Sequence, residues 1–496
     1  MRKSGVLLPV TSLPSKYGIG CFSKSAYKFI DWLKGAGQSF WQILPLCPTS
    51  FGDSPYQSFS TFAINPYMIS LKSLIEEKLL TKEECDKVDF GDDKKYVDYK
   101  KQYDNRFTLL KKAYKASDVL NDESYKKFVD ENHFWLLDYS LFMALKYHFN
   151  QKKWNEWDYD IRIRKKEALE EYKIKLEDEI NFWNFIQYKA YSQWYKLKEY
   201  ANKSNVSIIG DMPIYVSFDS ADVWVNPNLF ELDENLLPIN VAGCPPDGFS
   251  KKGQLWGNPL YNWEENEKTD FKWWMQRLKK SFEIYDALRI DHFRGFDEYY
   301  SIDFSKKDAT EGKWRKAKGE ELFKKVKHKL GDKNIIAEDL GFITDSVKEL
   351  LKKCGFPGMK ILQFAFDERD TGEANDYLPH NYPYLSVAYT GTHDNQTLYS
   401  WFKTISDSER KAVRDYLCDY YTPDEKINFP LISLIMRSNS YLCIVPIQDL
   451  LSLDDKARIN IPSTTGENWR WRLEKNQLTQ SLKEKIYNIT KIYERI

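Results

Sequence analysis

The sequence has no excess of either charge, because its 73 lysine and arginine residues are matched by 73 aspartate and glutamate residues. A chain without net charge has no broad electrostatic field that would attract nucleic acid or an anionic membrane. The composition therefore argues against both of these partners and favours a neutral one.

Cysteine and long apolar runs are both scarce. The seven cysteines are scattered, odd in number and never spaced as C-x-x-C, which argues against a disulfide framework. The first apolar run ends at Val10, too early for a signal-peptide core or a membrane span. We therefore expect reduced thiols, no membrane segment and a cytoplasmic location.

Three enzyme fingerprints are also missing. The sequence has no glycine-rich phosphate-binding motif, no G-x-S-x-G nucleophile elbow and no H-x-x-x-H pair. These absences argue against an open dinucleotide-binding sheet, a serine hydrolase and a histidine-based metal site, respectively.

Eight short apolar runs, bounded by turn residues, are typical of parallel strands buried on both faces. Helical signals lie between several runs, namely an apolar stripe over 26–33 and a capping-box pattern at Ser406 and Glu409. Alternating strands and helices with this strand count predict an α/β fold, a (β/α)8 TIM barrel. The runs cover residues 5–10, 39–46, 207–213, 287–291, 335–340, 360–366, 386–394 and 441–449.

We interpret residues 1–496 as one catalytic barrel with two insertions, because two spacings between predicted strands are too long for simple crossovers. The insertion at 47–206, after the second strand, is expected to be mostly helical, since 81–200 is rich in lysine, glutamate and tyrosine. The insertion at 214–286, after the third strand, contains NPN, CPPDG, KKG and GNP. These turn sequences predict a loop-rich segment that covers the active site.

Four carboxylates lie at the ends of predicted strands: Asp211, Asp291, Glu338 and Asp394. One such residue alone is often a helix cap or an ion-pair partner. In a barrel, however, the carboxyl ends of all strands meet at one face, where the active site forms. A group of carboxylates at that face predicts an acid–base or nucleophilic site.

Arg289 and Asp291 are two residues apart on one predicted strand, so both side chains face the same side. The cation favours an ionised Asp291, as a nucleophile requires, whereas the apolar stretch before Glu338 favours a raised pKa, as an acid requires. Asp339 is an alternative to Glu338, but neighbours on a strand face opposite sides. We assign Glu338, in part from the resemblance described below.

His292 and His393 each adjoin one of these carboxylates. A metal site is one interpretation, but neither pair has further ligands at a typical spacing, and strand alternation points the members of each pair apart. We therefore expect hydrogen bonds from these histidines to sugar hydroxyls, and no bound metal.

The order of these residues closely resembles that in the amylomaltases, the 4-α-glucanotransferase or disproportionating-enzyme family of glycoside hydrolases. The resemblance spans nearly the whole chain. It implies a barrel with inserted subdomains and no separate C-terminal β domain, which acts on α-1,4-glucans and maltooligosaccharides without a metal or organic cofactor. The matching motifs are SGVLLPVTSLPSKYGIG, GDSPYQSFSTFAINPY, GDMPIYVSFDSADVW, GCPPDGFSKKGQLWGNPLYNW, ALRIDHFRGFDEYY, IIAEDLG, YTGTHDNQT and NIPSTTGENWRWR.

Carried over residue by residue, Asp291 matches the family nucleophile, Glu338 the acid/base and Asp394 the carboxylate that acts in the transition state. The chain departs from the family pattern at Ser463, where glycine is frequent. The resemblance further implies contacts around the transferred sugar for Tyr56, Asp211, Arg289 and His393, and on the acceptor side for Asp247, Trp256 and Asn460.

The expected activity is therefore a 4-α-glucanotransferase reaction, which moves glucan segments between maltooligosaccharides by a retaining double displacement. A hydrolase with the same carboxylates, which passes the sugar to water, is one alternative. A catalytically silent glucan-binding protein on a barrel scaffold is another, because a fold alone does not establish function.

Overall fold

The computed structural model describes residues 2–246, 250–341, 343–368 and 374–496. Its strands form one parallel and one antiparallel sheet. Within the described ranges the strands are β1 (Lys3–Leu7), β2 (Phe40–Gln42), β3 (Ser207–Pro213), β4 (Asn240–Cys244), β5 (Gln254–Pro259), β6 (Ala287–Asp291), β7 (Glu298–Asp303), β8 (Lys313–Lys316), β9 (Ile335–Ala337), β10 (Gly358–Ile361), β11 (Ser386–Tyr389) and β12 (Leu442–Pro446).

The parallel sheet is a barrel of eight strands, as predicted. Its strands lie in the order β10-β11-β12-β1-β2-β3-β6-β9, and each hydrogen-bonded pair is parallel. The last and first strands of this order meet where the Ala337 N–H donates to the Pro357 carbonyl oxygen at 3.0 Å. The (β/α)8 fold class is therefore confirmed, and each barrel strand overlaps one predicted run.

Several barrel strands are shorter than their predicted runs. β10 ends at Ile361, and the rest of its run, Leu362–Phe366, forms a 3-10 helix. β11 ends at Tyr389, so that Asp394 lies in the loop beyond the strand. At β10 the apolar character continues into the 3-10 helix, because strands and tight helices can both bury apolar side chains. At β11 the predicted run was extended over the polar residues 390–394, which form a loop.

The helical signals are confirmed at both positions. Ala26, Phe29 and Leu33 are buried on one face of the first helix, and Ser406 and Glu409 form a reciprocal capping box. Within the described ranges the α-helices are α1 (Lys24–Gly35), α2 (Leu71–Glu76), α3 (Lys82–Asp86), α4 (Tyr99–Lys115), α5 (Glu123–His148), α6 (Tyr159–Arg162), α7 (Lys166–Lys175), α8 (Glu177–Lys203), α9 (Ala221–Val225), α10 (Trp263–Lys268), α11 (Lys272–Ile284), α12 (Gly319–Leu330), α13 (Asp345–Cys354), α14 (Leu398–Thr404), α15 (Asp407–Leu417), α16 (Asn428–Arg437), α17 (Ile447–Leu450) and α18 (Gln480–Ile492).

The segment 47–206 contains helices α2 to α8. The long helices α5 and α8 pack through aromatic side chains, for example Trp135 against Tyr191, whose ring centroids are 5.8 Å apart. α8 runs into β3, and its Trp194 Nε1–H donates to the carbonyl oxygen of Ile284, the last residue of α11, at 3.0 Å. The helical segment is therefore joined to β3 and to the helix that precedes β6.

The segment 214–286 contains more regular structure than predicted. β4 and β5 join β7 and β8 in an antiparallel sheet of order β5-β4-β7-β8, and α11 returns the chain to β6. The strand sequences NVAGC and QLWGNP contain glycine, which is a turn signal, so the prediction of loops missed them. In the described ranges, no helix is both long and apolar enough to cross a bilayer.

Candidate active site

Three of the predicted carboxylates lie in or directly after three adjacent barrel strands. Asp211 lies in β3, Asp291 ends β6 and Glu338 directly follows β9. The register of β3 and β6 places Asp211 opposite Arg289. Arg289 Nη1 lies 2.8 Å from both carboxylate oxygens of Asp211 and 2.9 Å from Asp291 Oδ1. One guanidinium group thus connects the two aspartates; the spacing of Arg289 and Asp291 predicted that these two side chains share a face, but not the contact with Asp211.

This ion pair is largely withdrawn from solvent. The Asp211 side chain is fully buried and that of Arg289 is 3% exposed, whereas Asp291 keeps 28% of its side chain exposed. Burial disfavours the charge on Arg289, but the nearby Asp211 and Asp291 raise its pKa well above the ordinary value. Arg289 therefore supplies a permanent positive charge beside Asp291.

Asp291 and Glu338 differ in how readily they ionise. Burial, together with the negative charge of Asp291, raises the pKa of Glu338 to about 8. Burial raises the pKa of Asp291 only to about 6, because Arg289 opposes the shift. These surroundings make Asp291 the more readily ionised carboxyl and Glu338 the one that more readily keeps its proton, as a nucleophile and an acid require.

Backbone N–H groups fix the carboxyl group of Glu338. The His292 N–H donates to Oε2 at 2.6 Å, and the Leu340 N–H donates to Oε1 at 3.0 Å. His292 has a φ of 51°, in the left-handed region that few non-glycine residues adopt. Asp339 instead accepts a 2.7 Å hydrogen bond from the Met359 N–H on β10. Glu338 and Asp339 thus have different partners, in keeping with strand alternation.

An aromatic group contacts the buried ion pair. The Tyr56 hydroxyl donates to Asp211 Oδ2 at 2.8 Å, and its ring stacks on His393 with centroids 5.1 Å apart and planes at 13°. The Trp469 ring lies 5.7 Å from that of Tyr56 and 5.8 Å from that of His393. Trp469 was not among the predicted site residues, although it lies in the GENWRW motif that could have pointed to it.

Trp256 contacts the site through His292. The two rings meet edge to face, with centroids 4.8 Å apart and planes at 84°. Burial lowers the pKa of His292 to about 3, so its ring is neutral near pH 7. His292 thus contacts Trp256 through its ring and donates a hydrogen bond to Glu338 through its backbone N–H. The expected hydrogen bonds from His292 to sugar hydroxyls stay a prediction.

Asp394 lies in the loop after β11, and its side chain is 42% exposed. His393 Nε2 lies 3.3 Å from Asp394 Oδ1, so these two side chains do not point apart as expected, because they lie in a loop and not on the strand. Asn460 Nδ2 donates to the same oxygen at 2.6 Å. Asn460, which was expected to contact the acceptor, thus contacts Asp394 directly. Asp247 lies outside the described residues. Ser463 has a φ of 63°, a conformation that glycine adopts more readily.

A pair of carboxyl groups at the strand ends of a (β/α)8 barrel, one beside a cation and one favoured to keep its proton, suits an enzyme that acts on glycosidic bonds. A family model described as 4-alpha-glucanotransferase matches residues 8–479, and this chain belongs to that family. The family resemblance of the sequence motifs is thereby confirmed.

Similar proteins match over the full length of the chain. A 4-alpha-glucanotransferase from Clostridium butyricum is 50% identical, with 98% of this chain and 99% of that protein covered. The 4-alpha-glucanotransferase of Thermus thermophilus is 43% identical, with 100% and 99% covered. Among solved structures, an amylomaltase from Streptococcus agalactiae in complex with acarbose has a TM-score of 0.96 at 43% identity and covers 100% of both chains.

Proposed function

We propose that this protein is a 4-α-glucanotransferase that moves α-1,4-glucan segments between maltooligosaccharides by a retaining double displacement. The observation that carries the mechanism is the pair of neighbouring, partly buried carboxyls with different surroundings: Asp291 forms an ion pair with Arg289, whereas Glu338 accepts hydrogen bonds from backbone N–H groups. The matched family and the similarity to an amylomaltase with bound acarbose support the substrate class.

In the first step, Glu338 donates its proton to the departing glycosidic oxygen while the Asp291 carboxylate attacks the anomeric carbon. The glycosidic bond breaks, an ester bond to Asp291 forms, and the configuration at that carbon inverts. The leaving glucan departs with a free 4-hydroxyl. Glu338 is then ionised and ready to act as a base.

In the second step, the 4-hydroxyl of an acceptor glucan replaces the leaving group. Glu338 accepts the proton of this hydroxyl as its oxygen attacks the anomeric carbon and the ester to Asp291 breaks. A second inversion restores the α configuration, and the number of α-1,4 bonds is unchanged. Both carboxyl groups return to their starting states.

The remaining site residues would bind and orient the sugars. Asp394 would accept hydrogen bonds from hydroxyls of the distorted ring, and Arg289 would hold Asp291 in line for attack. Tyr56, Asp211 and His393 would surround the transferred sugar, and Trp256, Asn460 and Asp247 would contact the acceptor. These roles rest on the family motifs and on the contacts described above.

The expectation of metal-independent chemistry and the expectation of a cytoplasmic location both remain predictions. In the part of the chain that the structure describes, His, Cys, Asp and Glu side chains form no group of three or more that would suit a metal ion. A neutral glucan as donor and acceptor agrees with the balanced charge of the chain.

The direct test is incubation of the purified protein with maltotriose alone, with the products resolved by chain length over time. We expect a ladder of longer maltooligosaccharides together with glucose. Asp291→Ala and Glu338→Gln should fold but lose activity by several orders of magnitude. Asp339→Asn, which changes the neighbouring carboxyl bonded to β10, should stay active.

Each other outcome has a distinct meaning. Glucose and maltose without longer chains would favour the hydrolase alternative. No change in the substrate would favour a silent glucan-binding protein. Turnover near that of the unmodified protein in either the Asp291 or the Glu338 variant would contradict the assignment of the catalytic pair.

A further inference from the structure

Asp394 lies outside the barrel strands, so its position depends on what holds the loop 390–397. The two ends of this loop are bound by two carboxylates, the buried Asp449 and the half-buried Asp455. Asp449 accepts hydrogen bonds from the Thr390 hydroxyl at 2.6 Å and the Leu398 N–H at 2.7 Å. Asp455 accepts from the Thr397 N–H at 2.9 Å. None of these three hydrogen bonds reaches the middle of the loop, where Asp394 lies.

The middle of the loop is held from the segment 458–460. Arg458 Nη2 donates to the Asp394 carbonyl oxygen at 2.6 Å, and Arg458 Nε donates to the Asn460 carbonyl oxygen at 2.8 Å. Asn460 then binds the same loop twice, through its N–H to the His393 carbonyl oxygen at 3.2 Å and through Nδ2 to the Asp394 carboxylate at 2.6 Å. The guanidinium of Arg458 therefore joins the backbones of both segments.

We infer that Arg458 is a positioning residue for the reaction, which holds the Asp394 carboxylate in place through the backbone carbonyl oxygens of Asp394 and Asn460. It contacts no reacting atom in this arrangement. Its effect passes through Asp394 and through Asn460, whose side chain binds the Asp394 carboxylate.

The chemistry of the guanidinium explains why arginine suits this position. Nε and Nη2 lie along one edge of a rigid plane, so they donate in nearly parallel directions to two acceptors. Here the acceptors are carbonyl oxygens from two different segments. A lysine ammonium is a single donor atom on a flexible stem, and it does not fix the separation of two segments in the same way.

The expected kinetic effect rests on the proposed function. A carboxylate that binds the hydroxyls of the distorted sugar contributes more in the transition state than in the ground state. A displaced Asp394 should therefore lower kcat more than it raises KM. Misplacement of a catalytic group by about 1 Å can cost about 100-fold in rate.

The test compares Arg458→Ala and Arg458→Lys with the unmodified protein in maltotriose disproportionation. We expect both variants to lose about 100-fold in kcat, with KM changed by less than about threefold. Added guanidinium ion, below denaturing concentrations and against sodium chloride of equal ionic strength, should restore part of kcat in Arg458→Ala. Guanidinium ion should not restore kcat in Arg458→Lys, because the lysine side chain occupies the space that the ion would need.

Arg472→Ala is the matched control. The buried Arg472 guanidinium also donates to backbone carbonyl oxygens, of Ser15 and Asp93, but it makes no hydrogen bond to Asp394 or Asn460 within the described residues. Its loss should lower the melting temperature without giving a kcat defect that guanidinium restores.

Several outcomes would overturn the inference. One is a folded Arg458→Ala or Arg458→Lys protein with kcat within about threefold of the unmodified value. Another is an unrestored kcat defect that Arg472→Ala shares. If Arg458→Ala does not fold, the inference is tested by the kcat of Arg458→Lys alone. Absence of disproportionation by the unmodified protein would instead overturn the proposed function.

Discussion

At the scale of single residues, the different surroundings of Asp291 and Glu338 suit one to act as the nucleophile and the other as the acid. Asp291 lies 2.9 Å from a guanidinium, whereas the Glu338 oxygens accept hydrogen bonds from two backbone N–H groups. Burial raises the pKa of both carboxyl groups. At Asp291 the positive charge of Arg289 opposes this rise, whereas at Glu338 the negative charge of Asp291 increases it. These surroundings therefore favour the proton on Glu338.

This difference predicts a bell-shaped dependence of kcat/KM on pH. Activity should rise as pH increases through about 6, where Asp291 loses its proton, and fall through about 8, where Glu338 loses its proton. The profile has both an acidic and an alkaline limb because the first step needs an ionised nucleophile and a protonated acid. Initial rates of maltotriose conversion across this pH range measure the profile.

Asp339→Asn serves as the control for the alkaline limb, because burial also raises the pKa of Asp339, to about 7. An asparagine can still accept the hydrogen bond from Met359. Both limbs should survive this substitution. An alkaline limb that disappears in Asp339→Asn would show that Asp339, and not Glu338, supplies the proton.

Some of these residue contacts could be predicted from the sequence and others could not. The pairing of Arg289 with Asp291 follows from their spacing on one strand, since alternate side chains share a face. The contacts of Arg458 and Asn460 with Asp394 join residues 64 and 66 positions apart. Arg458 binds backbone carbonyl oxygens, which every residue type possesses, so no side-chain pattern marks its partners.

At the scale of elements, β3 carries Asp211 into the site and depends on Gly210 for its position. A Cβ atom on Gly210 would lie 2.2 Å from the ring of Tyr285, which is buried. No side chain fits at that distance without movement of the strand or the ring. The close packing of the Tyr285 ring against the backbone of Gly210 therefore helps to fix the position of Asp211 opposite Arg289.

We predict that Gly210→Ala lowers the free energy of unfolding by about 1–3 kcal/mol, the usual cost of overpacking a core. Because β3 must move, the bond between Asp211 and Arg289 should be disturbed and activity should fall as well. Urea denaturation and maltotriose turnover measure the two effects.

Gly35→Ala is the matched control for this substitution. Gly35 ends α1, and its added Cβ would meet the flexible side chain of Lys483. We expect little loss of stability and full activity, because alanine favours a helix over glycine by about 1 kcal/mol. Equal stability of Gly210→Ala and the unmodified protein would contradict the proposed role of the Tyr285 contact.

The barrel strands could be predicted because each is a short apolar run between turns, whereas their ends could not. The run 360–366 changes from strand to 3-10 helix after Ile361 with no break in its apolar character. β4 and β5 were missed for the opposite reason, since their glycines resemble turns. Pairing with β7 gives β4 its strand conformation, and that pairing lies outside the local sequence.

At the scale of the whole molecule, separate segments converge on the strand ends. Tyr56 comes from the segment after β2, Trp256 from β5, and Trp469 from the segment after β12. Transfer to a glucan instead of water requires that such segments bind the acceptor and exclude water. The strand-end positions alone marked the carboxylates, but the choice of Glu338 over Asp339 rested in part on the resemblance to a family. The acceptor contacts expected of Trp256 and Asn460 rested on that resemblance entirely.

The central claim is a covalent glucan ester on Asp291. The most direct measurement is peptide mapping by mass spectrometry after Glu338→Gln is mixed with α-maltosyl fluoride, whose fluoride leaves without acid assistance. The ester should accumulate, because glutamine cannot act as the base for the second step. We predict a maltosyl adduct on the peptide that contains Asp291 and its absence in Asp291→Asn/Glu338→Gln. An adduct on Asp394, or fluoride release without any adduct, would contradict the claim.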